Sequence, residues 1–218
     1  LPNLFLVADG MGGHRAGDYA SRFAVENLVI YINRAGDGSP VMQLKKGIEA
    51  VNGMLYEESL KREELKGMGC TLVAGVVEDN ILYVANVGDS RLYLLRENLY
   101  QITRDHSLVE EMVRMGEISR DDARNHPDKN IITRAIGARD YVEADFFNLE
   151  LHTGDMVLLC SDGLTNMVDD ETIFRILKCG GSLEDRVEEL VRVANQNGGK
   201  DNISVIVIEP LADEVEHD

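Results

Sequence analysis

The sequence is short of proline, cysteine, basic residues and long apolar runs, and each shortage excludes something. With 4 prolines, 20 scattered glycines and 44% hydrophobic residues in 218, the chain is neither largely disordered nor collagen-like. No apolar run approaches the roughly 18–20 residues of a membrane-spanning helix, and the longest, such as Ile203–Ile208, are strand-sized. The three cysteines, Cys70, Cys160 and Cys179, are odd in number and lack paired spacing. That argues against a disulfide framework or zinc site, and they read as buried thiols in a reducing compartment. Lys and Arg number 22 against 39 Asp and Glu, a net charge of −17. A nucleic-acid partner is disfavoured, because binding phosphates needs a basic face. Most of the acidic surplus is solvated surface, which leaves a few carboxylates free to hold divalent cations.

No repeat, low-complexity stretch or linker divides the chain, and its length suits one domain. It opens without Met or a basic leader, directly into the strand-like run Leu4–Ala8. Ala20, Phe23, Ala24, Leu28 and Tyr31 recur at helical spacing, predicting a helix over Gly17–Arg34. Ser39-Pro40 is a cap followed by a first-turn proline, opening a second helix with Leu44, Ile48, Val51 and Leu55 on one face. Cys70–Glu78 and Ile81–Val87 read as strands joined at Asp79-Asn80, and Arg91–Leu95 extends them into a meander. Ser107 to Glu110 reads as a capping box for a helix ending near Met115. The stretch 116–139 is polar and turn-rich, an irregular insertion with a short helix after Ser119. Met156–Cys160 is a buried strand, Leu183 to Ala194 a helix, Ile203–Ile208 a closing strand, and 210–218 an acidic tail. Clustered strands flanked by helices fit an α+β sandwich better than a parallel sheet.

Three aspartates share one context, a turn of small residues at the end of an apolar strand or just before one: Asp9, Asp162 and Asp201. One Asp-Gly is ordinarily only a turn. Three carboxylates brought to one point would repel unless cations lay between them, and their hard oxygens suit Mg²⁺ or Mn²⁺. The loop Gly10-Met11-Gly12-Gly13-His14 follows the first of them; it fits neither G-x-G-x-x-G nor Gly-Lys-Ser/Thr, so no nucleotide fold is indicated. Its glycines let backbone approach a metal, and His14 beside such a loop is a candidate proton donor. No Cys-x5-Arg loop is present for thiol chemistry.

Six motifs follow in order: Asp-Gly-Met-Gly-Gly-His (9–14), Gly-Asp-Ser-Arg (88–91), Thr-Arg-Asp-His-Ser (103–107), Thr-Arg-Ala-Ile-Gly (133–137), Ser-Asp-Gly-Leu (161–164) and Gly-Lys-Asp-Asn-Ile-Ser (199–204). The series resembles the metal-dependent Ser/Thr protein phosphatases of the PP2C (PPM) family, in the bacterial branch that works opposite membrane-bound Ser/Thr kinases, over nearly the whole chain. The resemblance implies a four-layer α-β-β-α sandwich of two mainly antiparallel sheets flanked by helices, with a Mn²⁺ or Mg²⁺ pair where the sheets meet. Asp9 would bridge the two ions, with the Gly10 carbonyl beside it. Asp162 and Asp201 would ligate the first ion, and Asp105 with Asp162 a third, weaker one. Asn202 would lie near the phosphate, and 116–139 would be a flap beside the site. Hydroxide bridging the ions would attack phosphorus in line, supplying a barrier reduction on the order of 20 kcal/mol.

The resemblance also implies phosphoprotein substrates, a cognate kinase, and a cytoplasmic monomer with no membrane span. The domain would run over 1–209. The family's Arg-x-x-Asn-Glu/Gln-Asp motif, which anchors phosphate upstream of the first aspartate loop, has no counterpart in residues 1–8. The expectation is therefore a chain trimmed from a longer protein, with one sheet edge unpaired. The chain also has Met11 where animal relatives place a His, and Cys70 where many bacterial ones have Thr. A phosphoprotein-binding module without turnover and a two-metal nuclease are the alternatives. Retention of all three aspartates argues against the first, and the net charge against the second.

Overall fold

Alternation along each strand decides which layer a side chain enters. In the computed structural model, which describes residues 3–36 and 38–210, β1 (Leu4–Val7), β4 (Leu72–Glu78), β5 (Ile81–Val87) and β8 (Asp145–Glu150) form one antiparallel sheet in the order β1-β4-β5-β8. A second antiparallel sheet runs β10-β9-β6-β7, from β10 (Val205–Ile208), β9 (Met156–Cys160), β6 (Arg91–Leu95) and β7 (Leu99–Gln101). Val73, Leu82 and Val84 of the first sheet meet Leu92, Leu94, Val157 and Leu159 of the second in a buried core between them. Their neighbours one residue along point the other way, as the pleat requires.

On the outer face of the first sheet, Leu72, Ala74, Ala85 and Val87 bury against α1 (His14–Arg34) and α2 (Pro40–Lys61). On the second, Tyr93, Leu95, Leu158 and Cys160 bury against α5 (Asp162–Thr165), α6 (Asp170–Lys178) and α7 (Leu183–Gln196). The layers are therefore α-β-β-α, as the motif series implied. Ser39 caps α2 by accepting the Met42 N–H, with Pro40 at the first position. The hairpin at Asp79 and Asn80 has φ of 49° and 59°, the pair of left-handed residues of a type I′ turn. Between the two sheets in sequence lie α3 (Leu108–Met115) and, within the 116–139 stretch, α4 (Arg120–Asn125).

Several expectations are corrected. β5 and β6 form no meander: the chain leaves the first sheet at the Gly-Asp-Ser turn and enters the second. The strand expected from Cys70 is broken at Thr71, and its first part, β3 (Gly69–Cys70), pairs with β2 (Gly10–Met11) as a separate ribbon. α1 starts at His14 rather than Gly17. β7, β8 and α6 were not anticipated. Ser107 caps α3, but Glu110 turns to Arg120 instead of closing the box. The full capping box is at Ser119 and Asp122, on α4. Cys70 and Cys160 are buried and free as expected, whereas Cys179 is exposed. The acidic tail beyond 210 lies outside the described residues.

Candidate active site

Two loops bring carboxylates to the end of the sandwich where both sheets finish. Asp9 follows β1, and Thr71, in the break between β3 and β4, pins it twice: Asp9 N–H donates to Thr71 Oγ1 (3.0 Å), and Thr71 N–H to the Asp9 carbonyl (2.8 Å). Asp162 follows β9 at the start of α5. Next to it, Ser161 ties down the 201–204 loop. Its hydroxyl donates to the Asn202 carbonyl (3.2 Å) and accepts from Ser204 N–H (3.1 Å). The glycine loop after Asp9 folds tightly onto α1. A Cβ on Gly10 would collide with the Gly17 backbone, so glycine is required for that approach.

The electrostatics are those of crowded like charges. Burial first, then the charge and proximity of Asp162 and the charge of Asp201, push the Asp9 carboxyl up to about 7. Desolvation raises Asp162 as well. Asp162 Oδ2 accepts from Asn166 Nδ2 (2.9 Å), but its Oδ1 is buried without any partner. A buried carboxylate oxygen left unpaired beside a second carboxylate is costly. The donor set answers to one kind of ligand, a hard divalent cation. Among the described residues no group of three Asp, Glu, His or Cys could hold an ion by itself. Asp201 is exposed and turns Oδ1 towards Asn202 N–H (2.8 Å), which leaves Asp9 and Asp162 as the close pair.

Asp89, in the Gly-Asp-Ser-Arg turn, is a further carboxylate here that sequence reasoning missed. Burial, then the charges of Asp162 and Asp105, raise it to about 7. Its signal was present: an Asp-Ser between two apolar strands repeats the context of the other three. Asp105 is differently engaged. It takes a two-pronged contact from Arg91 (2.9 Å at Oδ1, 2.7 Å at Oδ2) and a bond from Gln101 (2.9 Å). Its charge is already matched by the protein's own cation. A cavity of about 320 Å³ opens between α3–α4 and α5–α6, lined by Asp89, Arg91, Asp105, Arg120, Arg124 and Asp162 among others. Asn202 is exposed at the rim of the Asp201 loop. His14 begins α1, but its side chain lies outside what the structure describes.

The two-sheet sandwich with helices outside and aspartates where the sheets end has counterparts among known proteins. The sequence profile of the Protein phosphatase 2C family matches residues 2–207, and the chain belongs to that family. It is 47% identical over 213 residues to the serine/threonine phosphatase stp of Listeria welshimeri, covering 94% of this chain and 84% of that one. It is 41% identical over 211 residues to the protein phosphatase PhpP of Streptococcus pneumoniae, with 94% and 85% covered. Among solved structures, serine/threonine phosphatase Stp1 of Staphylococcus aureus superposes with a TM-score of 0.90 at 37% identity, over 95% of this chain and 84% of that one. The catalytic domain of the serine/threonine protein phosphatase PstP, solved with two manganese ions, gives a TM-score of 0.85 at 35% identity, over 94% and 86%.

Proposed function

We propose that the chain is a metal-dependent protein serine/threonine phosphatase, hydrolysing phosphoserine and phosphothreonine in proteins. The observation that carries this is the unpartnered buried oxygen of Asp162 beside Asp9, which repulsion from Asp162 and Asp201 helps to raise to about 7. Family membership supplies the reaction class, and the relatives' names point to phosphoproteins.

Asp9, the Gly10 carbonyl, Asp162 and Asp201 are the groups that would hold a pair of Mn²⁺ or Mg²⁺ ions. When bound, such ions neutralise phosphate charge and acidify a water. Asp89 is the further carboxylate presented beside Asp162; Asp105 holds Arg91 in place at the cavity wall. Thr71 fixes the Asp9 backbone, and its hydroxyl meets Ser90 Oγ (2.7 Å), so one side chain ties the Asp9 turn to the Asp89 turn. His14, directly after the glycine loop, would return a proton to the serine or threonine oxygen as it leaves. Asn202, on the loop that Ser161 holds, would face the phosphate. Regions α3 and α4 would contact the protein segment around the phosphorylated residue.

Phosphoserine and phosphothreonine in proteins arise by kinase action, so a Ser/Thr kinase is the natural counterpart of this activity. The free cysteines support a reducing, cytoplasmic setting. The test is release of phosphate from a phosphothreonine peptide by the full chain. EDTA should abolish it and Mn²⁺ restore it; no release at any Mn²⁺ concentration contradicts the proposal.

A further inference from the structure

We propose that His106 is a positioning residue for this hydrolysis, holding the Gly88-Asp89-Ser90 turn so that Asp89 faces the cavity it shares with Asp162. The inference rests on the phosphatase reading above. His106 is 5% exposed and grips Gly88 from both sides. Its backbone N–H donates to the Gly88 carbonyl (2.9 Å), and its Nδ1 accepts from Gly88 N–H (3.1 Å). Because Nδ1 accepts, the ring proton lies on Nε2. Nε2 is 3.2 Å from Asp145 Oδ2, so the carboxylate fixes tautomer and ring orientation together. Arg134 braces the carboxylate, with Nη1 3.0 Å from Asp145 Oδ1; the same nitrogen lies 3.2 Å from Nε2, a donor beside a donor that adds no hydrogen bond to the ring.

The topology explains why a clamp is needed at this point. The chain leaves the first sheet after Val87 and enters the second at Arg91, so neither sheet ladder covers the turn between them. Gly88 has φ of +103°, and a Cβ there would lie 2.6 Å from Thr71 Cγ2, so no side chain can anchor the turn from that residue. Ser90 is tied to Thr71 on one side. His106 supplies the other tie, and Asp89 sits between the two anchors. Asp145 is delivered by register, directly opposite Asn86 at the end of β5. Asn86 Nδ2 adds a bond to the Gly88 carbonyl (3.2 Å).

The experiment is a double-mutant cycle on the Mn²⁺-loaded full chain, measuring kcat and KM with p-nitrophenyl phosphate. His106→Leu removes the acceptor at similar bulk and should lower kcat roughly tenfold or more with little change in KM. His106→Asn places an oxygen near the Nδ1 position and should recover most of that loss. His106→Gln sets its amide near Nε2, leaves Gly88 N–H unpaired, and should not. In an Asp89→Ala background the same His106 changes should matter less than about twofold, because the group they position is gone. Full multiplication of the His106 and Asp89 effects overturns the proposal, as does equal impairment of the Asn and Gln variants. If His106→Leu does not fold, the Asn–Gln contrast in both backgrounds decides alone. An inert wild type with Mn²⁺ would instead defeat the phosphatase reading itself.

Discussion

At the scale of single residues, function and stability pull in opposite directions. Asp162→Asn removes one of two crowded charges while keeping an oxygen for Asn166. It should hold or raise the melting temperature of the EDTA-treated protein, yet cut Mn²⁺-dependent turnover roughly a hundredfold or more. A variant that loses stability and keeps activity would contradict both halves. The pH dependence has a definite sign. Asp9 is raised in the folded state from an ordinary value of 3.8 to about 7, so the native form binds the extra proton. Stability of the metal-free protein is therefore fully present below about pH 4 as far as this group is concerned, and declines as pH rises through 7. Thermal melts in EDTA from pH 5 to 8 should show that decline, and saturating Mn²⁺ should remove it. His14→Gln should slow a phosphopeptide far more than p-nitrophenyl phosphate, whose leaving group needs no proton.

At the scale of elements, local chemistry decides what holds and what can move. Ser119→Ala breaks the capping box of α4, an exposed helix of six residues, at a cost of about 1 kcal/mol. Hydrogen exchange should rise in 119–126 with little change in the global melt. A deeper tie joins the end of β6 to the start of β9, where Arg96 grips the buried Asp155 by two bonds (2.8 and 2.7 Å). Asp155 also accepts His152 N–H (2.7 Å). Arg96→Met leaves that carboxylate buried with only the His152 bond, and should cost about 3 kcal/mol by urea unfolding. Elements with strong periodicity or unambiguous caps were legible in the sequence: α2 from Ser39-Pro40, the 79–80 hairpin, β9. α6 was missed although Asp169 caps it and Ile173, Ile176 and Leu177 sit at helical spacing. β8 was missed because its pattern is half-buried at a sheet edge and its strand state comes from pairing with β5.

At the scale of the molecule, stability is shared by three apolar layers, one between the sheets and one under the helices on each outer face. Leu159→Ala in the layer between the sheets should cost about 2–5 kcal/mol, read as a lower urea midpoint at unchanged slope. What stayed illegible from sequence is also long-range. Turn chemistry at 88–90 suits a meander as well as a sheet crossing, and only packing of Leu92 and Leu94 against the first sheet separates them. The same distinction governs the site. Asp9 and Asp162 could be singled out because strand ends converge. The pairing of Asp105 with Arg91, and the placement of Asp89 beside Asp162, depend on that crossing. The most direct measurement of the central claim is Mn²⁺ binding by calorimetry to the EDTA-stripped full chain, run beside phosphate release from a phosphothreonine peptide. Wild type should bind Mn²⁺ and gain activity over one concentration range, with both lost in Asp9→Asn. Activity in that variant equal to wild type, or turnover persisting in EDTA, would contradict it.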